Sequence, residues 1–267
     1  MSEAQQTVVE VETTRAVTTI TLNSPSNRNA LSSVLVGQLS AALAEAADDT
    51  SVRAVVLTHA GGTFCAGADL GEALRRGLSP EEATAEGARA MVGLMRTMLA
   101  MPKPVIVVAN GHVRAGGFGL LGSADIALVG PEATFALTEA RLGLAPSIIS
   151  IVLLPKMSAR SAGRYFLTGE KFDPATAERI GLVTQASSSA EELSAVLDDV
   201  LTGVRKASPQ GLAASKRLTT AAILADFDEN ATARAAESAA LFASDEAREG
   251  MTAFLSKGKP SWDTSER

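Results

Sequence analysis

Residues 103–117 read Lys-Pro-Val-Ile-Val-Val-Ala-Asn-Gly-His-Val-Arg-Ala-Gly-Gly, an apolar run that passes directly into a glycine-rich turn. The apolar run 105–109 is typical of a strand buried on both faces, as in parallel sheets. The turn, from Gly111 to Gly119, leads to another predicted strand at 124–129. A loop of this kind after a strand can direct backbone N–H groups toward an anion or an oxyanion.

An earlier segment has the same arrangement. A predicted strand at 54–58 precedes Gly61–Ala68, which is too rich in glycine for regular structure. Each segment taken alone is better explained as a tight turn, because glycine tolerates positive φ. Two such segments in one chain, 64–70 and 110–117, keep the anion-binding hypothesis open.

The rest of the chain predicts an α/β core followed by helices. Residues 7–13 and 16–22 alternate like the strands of a hairpin. Apolar residues at helical spacing predict a helix over Leu31–Ala47, and Ser79-Pro80-Glu81-Glu82 begins another that extends to about Leu99. After a strand at Thr134–Leu137 the pattern becomes helical, with helices predicted at 158–167, 174–180, 190–205 and 209 to about 257.

Composition excludes several classes of protein. The 267 residues are 46% hydrophobic and 20% charged, typical of a globular enzyme or binding protein. A net charge of −6 argues against a nucleic-acid partner. Cys65 as the sole cysteine indicates a reducing, cytoplasmic location, and His59 and His112 are too few for a structural zinc site. The longest apolar runs, such as residues 105–109, are too short to predict a membrane-spanning helix.

The sequence does not support two common types of site, a dinucleotide-binding site and a hydrolase triad. Residues 117–122 match G-x-G-x-x-G, and Glu139 follows Gly119 by 20 residues, as in a dinucleotide-binding site. Those glycines should directly follow the first strand of a βαβ unit, whereas here a long loop separates them from Val108. A Ser/His/Asp hydrolase is also disfavoured, because the chain has no G-x-S-x-G elbow.

Glu139 is the remaining candidate acid or base. It follows the strand at Thr134–Leu137 and precedes an apolar segment that ends at Pro146. Burial there would raise its pKa and suit it to proton transfer. Alternatively, it forms a surface ion pair with Arg141.

Taken together, the motifs resemble the crotonase, or enoyl-CoA hydratase/isomerase, superfamily over nearly the whole chain. They occur in the family's order, at Leu22–Pro25 and Arg28–Leu31, Phe64–Leu70, Lys103–Gly117, Ala124–Ala127, Phe135–Pro146 and Glu249–Lys257. The resemblance implies an α/β fold, a spiral core of ββα repeats at 1–205, and a helical region at 206–267 that forms trimers or hexamers. It implies an acyl-CoA thioester as substrate and no separate cofactor, metal or membrane partner.

The resemblance also implies roles for individual residues. The amides of Ala68 and Gly116 would form an oxyanion hole, and Glu139 would be the catalytic acid/base. CoA and acyl contacts would come from Arg28, Ala30, Ala66, Phe254 and Lys257, with Phe254 and Lys257 at the nucleotide end. We further expect His112 and Arg114 to recognise a polar acyl group.

One departure from the family pattern affects the expected reaction. Typical hydratases carry a first glutamate in G-G-G-x-E, and here Gly119 stands at that position. We expect hydration of an enoyl-CoA, since residues 139–150 resemble a hydratase branch that acts on branched acyl-CoAs. Isomerisation by Glu139 alone is the alternative, because Ala-Gly-Gly at 115–117 resembles the isomerase branch. A third possible function is that of an acyl-CoA-binding protein without catalytic activity. The motifs leave acyl length and branching open.

Overall fold

The computed structural model describes residues 6–69, 71–72, 76–77 and 80–265. Within them the strands are β1 (Val9–Thr14), β2 (Val17–Leu22), β3 (Ala54–His59), β4 (Thr63–Cys65), β5 (Val105–Ala109), β6 (His112–Arg114), β7 (Ile126–Val129), β8 (Thr134–Ala136) and β9 (Gln185–Ala186). The hairpin of β1 and β2 is confirmed; its turn places Arg15 and Ala16 at φ 47° and 64°.

The described helices lie between and after these strands. They are α1 (Ser33–Asp48), α2 (Pro80–Ala100), α3 (Gly116–Ser123), α4 (Ser147–Leu153), α5 (Ala159–Thr168), α6 (Pro174–Arg179), α7 (Ala190–Lys206), α8 (Pro209–Phe242) and α9 (Asp245–Leu255). Two short 3-10 helices occupy Pro25–Asn27 and Glu139–Leu142. Most of the predicted helices are confirmed to within a few residues at each end.

The strands form two sheets that share one spiral path. The larger sheet has the order β1-β2-β3-β5-β7-β9, with parallel pairing from β2 onward, and the smaller has the order β4-β6-β8, all parallel. Each turn of the chain adds one strand to the large sheet, one to the small sheet, and then a helix. The predicted spiral of ββα repeats is therefore confirmed.

Both glycine-rich segments are more regular than predicted. Gly61–Ala68 contains β4, and Gly111–Gly119 contains β6 and the start of α3, so the prediction of irregular turns was wrong there. Pairing within the small sheet stabilises the short strands. Glycine in α3 allows close helix packing, since a Cβ on Gly122 would stand 2.8 Å from Cγ2 of Val152 in α4.

The C-terminal helices pack on the core of the same chain, chiefly α8 against α2 and α4. The predicted single helix from 209 to about 257 is divided, because Ser244 begins α9 by accepting a hydrogen bond from the amide of Ala247. Lys216 of α8 forms a buried ion pair with Asp125, 2.8 Å apart. In the part of the chain that the structure describes, no helix is long and apolar enough to cross a bilayer.

Candidate active site

The three strands of the small sheet end at one edge, and each is followed closely by a candidate catalytic residue. Cys65 of β4 is paired with Val113 of β6, and Arg114 of β6 is paired with Ala136 of β8. Parallel strands deliver their carboxyl ends to the same side, with neighbouring strands about 4.8 Å apart. The register therefore places Ala68, Gly116 and Glu139, which lie two or three residues beyond those ends, at the same edge of the small sheet.

The direction of the Ala68 amide is fixed by the residue before it. Leu31 donates its N–H to the carbonyl of Gly67 at 2.7 Å, and Leu31 forms a parallel bridge with Ala68. In a trans peptide the carbonyl and the N–H point in opposite directions. Because the carbonyl of Gly67 points toward Leu31, the N–H of Ala68 points away from it, and Ala68 is solvent-exposed.

The Gly116 amide is oriented in the same way. Phe118 donates its N–H to the carbonyl of Ala115 at 2.9 Å, which directs that carbonyl into α3 and the N–H of Gly116 away from the helix. Ala115 has φ 42° and ψ −118°, a conformation that favours glycine and costs about 1–3 kcal/mol. Gly116 is the first residue of α3, so the helix provides no acceptor for its amide.

The two loops that carry these amides are in direct contact. A Cβ on Gly67, which has φ 94°, would stand 3.5 Å from the amide nitrogen of Gly116. A Cβ on Gly116 would stand 2.7 Å from Cδ1 of Leu31 and 3.7 Å from Cα of Gly67. Two outward amides on touching loops form a site able to bind one negative oxygen.

Glu139 begins the 3-10 helix Glu139–Leu142, three residues after the end of β8. Its Oε2 is sealed from solvent and has no hydrogen-bond partner among the described residues. Burial raises the pKa of Glu139 from 4.5 to about 7, and a hydrogen bond to its own amide opposes this more weakly. At neutral pH the carboxyl therefore exists in both protonation states, as a group that accepts and returns a proton requires.

The turn that carries Glu139 is anchored to its surroundings. The amides of Gly143, which has φ 72°, and of Leu144 both donate to the carbonyl of Glu139. Arg141 donates from Nε to the carbonyl of Thr168, 2.8 Å away at the end of α5. The guanidinium of Arg141 is therefore directed to α5, and the ion pair between Arg141 and Glu139 is not observed.

The position of the missing glutamate is apolar and closely packed. A Cβ on Gly119 would stand 2.8 Å from both Cε of Met91 and Sδ of Met95, and 2.9 Å from Cγ2 of Ile149. All four residues are buried. In addition, Sδ of Met91 lies 3.3 Å from a Cβ built on Gly116. The methionines of α2 thus occupy the space beside Gly116 and Gly119 that a carboxylate at position 119 would need.

Three residues predicted to contact CoA lie on two paired segments, 28–31 and 66–68, and the second of these carries Ala68. Ala30 is buried, Ala66 is half-buried, and Arg28 is exposed with φ 60°. The two segments are tied together by the hydrogen bond from Leu31 to Gly67 and by one from Asn27 Nδ2 to Asp69 Oδ2, 3.1 Å long. The structure therefore brings Ala30 and Ala66 to the vicinity of Ala68.

His112 and Arg114 share one face of β6 and both contact Thr134 of β8. His112 Nδ1 lies 2.8 Å from the hydroxyl of Thr134, and Arg114 donates to that hydroxyl and to the carbonyl of Thr134. Arg114 also donates to its neighbour, the carbonyl of Val113. These contacts brace the small sheet, and recognition of a polar acyl group by the pair stays a prediction.

Phe254 and Lys257 lie at the far end of α9. Phe254 is 64% exposed, and Lys257 follows the helix with φ 54°. Neither is packed into the site within this chain, so their predicted contact with the nucleotide end of CoA remains a prediction. In the described part of the chain, no three His, Cys, Asp or Glu residues are grouped to hold a metal ion.

Sequence reasoning missed several residues that shape the site. Leu31 orients one amide, Ala115 orients the other, and Met91 and Met95 fill the space beside Gly119. Ser147, 6% exposed, also has a buried hydroxyl without a partner among the described residues. The helical periodicity of α2 predicts that the methionines are buried but not which residue they face.

Comparisons with known proteins identify the family of this chain. The family model described as enoyl-CoA hydratase/isomerase matches residues 12–265, and the chain therefore belongs to that family. An enoyl-CoA hydratase of Alternaria alternata is 34% identical over 235 residues, covering 88% of this chain and 77% of the relative. The 2,3-dehydroadipyl-CoA hydratase of Escherichia coli is 32% identical over 246 residues, covering 90% and 92%.

A solved structure supports the same assignment. The crystal structure of an enoyl-CoA hydratase from Mycobacterium avium is 54% identical to this chain, with a TM-score of 0.89. The likeness covers 96% of this chain and 99% of that chain. The crotonase-like fold and the family membership indicated by the motifs are thus confirmed.

Proposed function

We propose that this protein reversibly hydrates an enoyl-CoA thioester, with Glu139 as acid/base and the amides of Ala68 and Gly116 as the oxyanion hole. The observation that supports this most strongly is the common edge of the small sheet, where β4, β6 and β8 deliver these three residues. An acyl-CoA enzyme of this family needs both an oxyanion hole and an acid/base. One stabilises a negative thioester oxygen, and the other moves a proton beside it.

A single carboxylate can complete the addition. Ionised Glu139 takes a proton from water as the water oxygen bonds to Cβ of the enoyl group. The π electrons move to Cα and the thioester carbonyl, giving an enolate whose oxygen accepts hydrogen bonds from Ala68 and Gly116. Protonated Glu139 then gives its proton to Cα, and the carbonyl re-forms. The elements of one water are added, and the enzyme returns to its starting state.

The oxyanion hole provides much of the rate enhancement in this scheme. Each preorganised N–H donor contributes about 3 kcal/mol to a transition state of this kind. The pKa of about 7 for Glu139 supports its dual role, because neither proton uptake nor proton return is strongly uphill near neutral pH. CoA, held by Arg28, Ala30, Ala66, Phe254 and Lys257, would supply binding energy that positions the acyl group.

The names of the relatives favour hydration. Those from Alternaria alternata, Escherichia coli and Mycobacterium avium are all called hydratases. We further propose that His112 and Arg114 lie where a polar acyl terminus would be recognised. Assembly as a homotrimer or hexamer through residues 206–267 belongs to the same proposal and is checked by light scattering after gel filtration.

Isomerisation is the second candidate, and the surroundings of Gly119 favour it. Met91, Met95 and Ile149 occupy that position in the described structure, so the first glutamate of the typical hydratase pattern has no counterpart there and Glu139 would act alone. Moving a proton between Cα and Cγ of an enoyl-CoA needs one carboxylate and no water.

Incubation with 2-enoyl-CoA and 3-enoyl-CoA in heavy water distinguishes these reactions. Hydration of the 2-enoyl ester adds one deuterium at Cα and one exchangeable hydroxyl, and the product mass rises accordingly. Interconversion of the two esters without addition of water identifies an isomerase. Unchanged esters would indicate a silent binding protein and would overturn the proposal.

Glu139→Gln tests the proposed residue. It removes the acid/base while retaining size and polarity, so turnover should be lost while the Kd for a saturated acyl-CoA changes only a few-fold. Full activity in this variant would exclude Glu139 as the acid/base.

A further inference from the structure

Helix α9 lies directly on the backbone of the turn that carries Glu139. A Cβ on Gly250 would stand 2.6 Å from the carbonyl oxygen of Leu142 and 2.8 Å from its Cα. A Cβ on Gly143 would stand 2.7 Å from the carbonyl carbon of Glu246 and 2.8 Å from the amide nitrogen of Ala247. Each glycine therefore faces the backbone of the opposite segment, Gly250 that of Leu142 and Gly143 that of Glu246 and Ala247, and neither position has room for a side chain.

The contact is linked to Glu139 by short hydrogen bonds. Leu142 ends the 3-10 helix that Glu139 begins, and the amide of Gly143 donates to the carbonyl of Glu139. The amide of Leu144 donates to the same carbonyl at 2.9 Å. A displacement of Leu142 or Gly143 would therefore move the backbone of Glu139.

The same contact closes one side of the turn to solvent. Gly250 is buried, and Ala247, one turn earlier on α9, is 0% exposed. On its other side the turn meets α5, where Arg141 donates to Thr168. The turn is therefore held between two helices from different parts of the chain.

We propose that Gly250 is a positioning residue, which lets α9 rest on Leu142 and thereby holds Glu139 in place and away from water. This inference rests on the acid/base role proposed above for Glu139. A side chain at position 250 would push α9 off the turn, admit water to the carboxyl and shift it from the oxyanion amides. Misplacement of a reacting group by about 1 Å commonly lowers a rate by about 10²-fold.

The test compares Gly250→Ala with Gly203→Ala. Both glycines lie in helices, but Gly203 of α7 is exposed and a Cβ there would meet nothing within 4 Å. For Gly250→Ala we expect kcat to fall at least tenfold, with a smaller change in KM. The pH at which kcat/KM is half-maximal should also move from about 7 toward the ordinary range of a glutamate, because water would reach the carboxyl.

Gly203→Ala should leave kcat and the pH profile unchanged and make the protein more resistant to urea. Rates are divided by the folded fraction measured at each pH, so a remaining shift of the pH profile reports the positioning of Glu139 and not simple destabilisation. If Gly250→Ala does not fold, Ala247→Gly loosens the same contact without crowding it. That variant should shift the profile in the same direction by a smaller amount.

An unshifted pH profile with unchanged kcat in folded Gly250→Ala or Ala247→Gly would overturn this inference. Failure of the proposed function is a different result, namely activity retained by Glu139→Gln. With Glu139→Gln inactive and the α9 variants normal, only the positioning role would be lost.

Discussion

A Cβ added to Gly67 would stand 2.6 Å from the Cβ of Ala115. These residues precede the two amides proposed to bind the thioester oxygen, and both have positive φ, 94° for Gly67 and 42° for Ala115. The separation of the two amides therefore depends on one loop having no side chain where the other loop has a methyl group. The proposed oxyanion site can therefore be tested by substituting Gly67 and Ala115 singly and together.

Gly67→Ala should lower kcat at least about 10²-fold, because the new methyl group clashes with Ala115 and separates the amides. Adding Ala115→Gly removes the steric overlap but leaves the strained φ at position 67. The double variant should therefore recover part of the activity and about 1 kcal/mol of stability, measured by urea unfolding. Additive effects of the two substitutions would show that these residues are not in contact.

Ionisation of Glu139 should be visible in activity. With a pKa of about 7 for the base, kcat/KM for hydration should rise with pH through 7 and then level off. The profile is measured with one 2-enoyl-CoA across pH 5–9. A flat profile across this range, as expected if the pKa stayed at its ordinary value of 4.5, would mean that the carboxyl is solvated.

The free energy of unfolding should fall as pH rises, whereas the activity rises. Between pH 4.5 and about 7 the folded protein holds a proton on Glu139 that the unfolded chain has lost. The free energy of unfolding should therefore fall as pH rises across this range, by up to about 3 kcal/mol, from this group alone. Glu139→Gln should remove this component, and an identical pH dependence in the variant would contradict it.

Gly119→Glu should not restore a second carboxylate by itself. Its Cβ would overlap Met91 and Met95, and its charge would enter an apolar space. We expect a loss of at least about 2 kcal/mol in unfolding free energy and no gain in hydration of straight-chain 2-enoyl-CoA. Adding Met95→Ala provides room, so hydration should then rise above that of Met95→Ala alone. Faster hydration by Gly119→Glu alone would show that the side chains of Met91 and Met95 move aside at little energetic cost.

Lys216 should be important for stability. Its ammonium donates to the carbonyls of Met98 and Lys103, at 2.7 and 2.9 Å, and pairs with Asp125. Lys216→Met leaves Asp125 without its buried partner and should cost about 3–5 kcal/mol by urea unfolding. Arg234→Met is the matched control.

The ion pair of Arg234 with Glu237 is about half exposed, and its loss should cost less than about 1 kcal/mol. Equal losses in the two variants would mean that burial does not distinguish these pairs.

Much of the site was predictable from local sequence. Strand 105–109 was predicted with its observed bounds, because four successive β-branched residues have few alternatives to a buried strand. Glu139 was a candidate from its place shortly after a strand and before an apolar segment, and the resemblance of residues 135–146 to the family's motif identified it as the expected acid/base. The resemblance to the family likewise showed that Gly119 stands where typical hydratases carry their first glutamate.

Other properties depend on contacts between distant parts of the chain. The sequence around Gly111–Gly119 predicted only a turn, whereas pairing with β4 and β8 makes a strand there. The order β4-β6-β8, which places Ala68, Gly116 and Glu139 at one edge, follows from the spiral path and not from any local pattern.

The amino-acid sequence by itself determined the hairpin strands, β3, β5, β7 and β8, the amphipathic helices, the family and the candidate acid/base, since each depends on neighbouring side chains or on a short motif. Only the tertiary structure decided the direction of the two amides, the methionines that face Gly119 and the contact of α9 with Leu142. The physical reason is that an amide direction, a desolvated carboxyl and a close backbone approach arise only when segments far apart in the chain pack together.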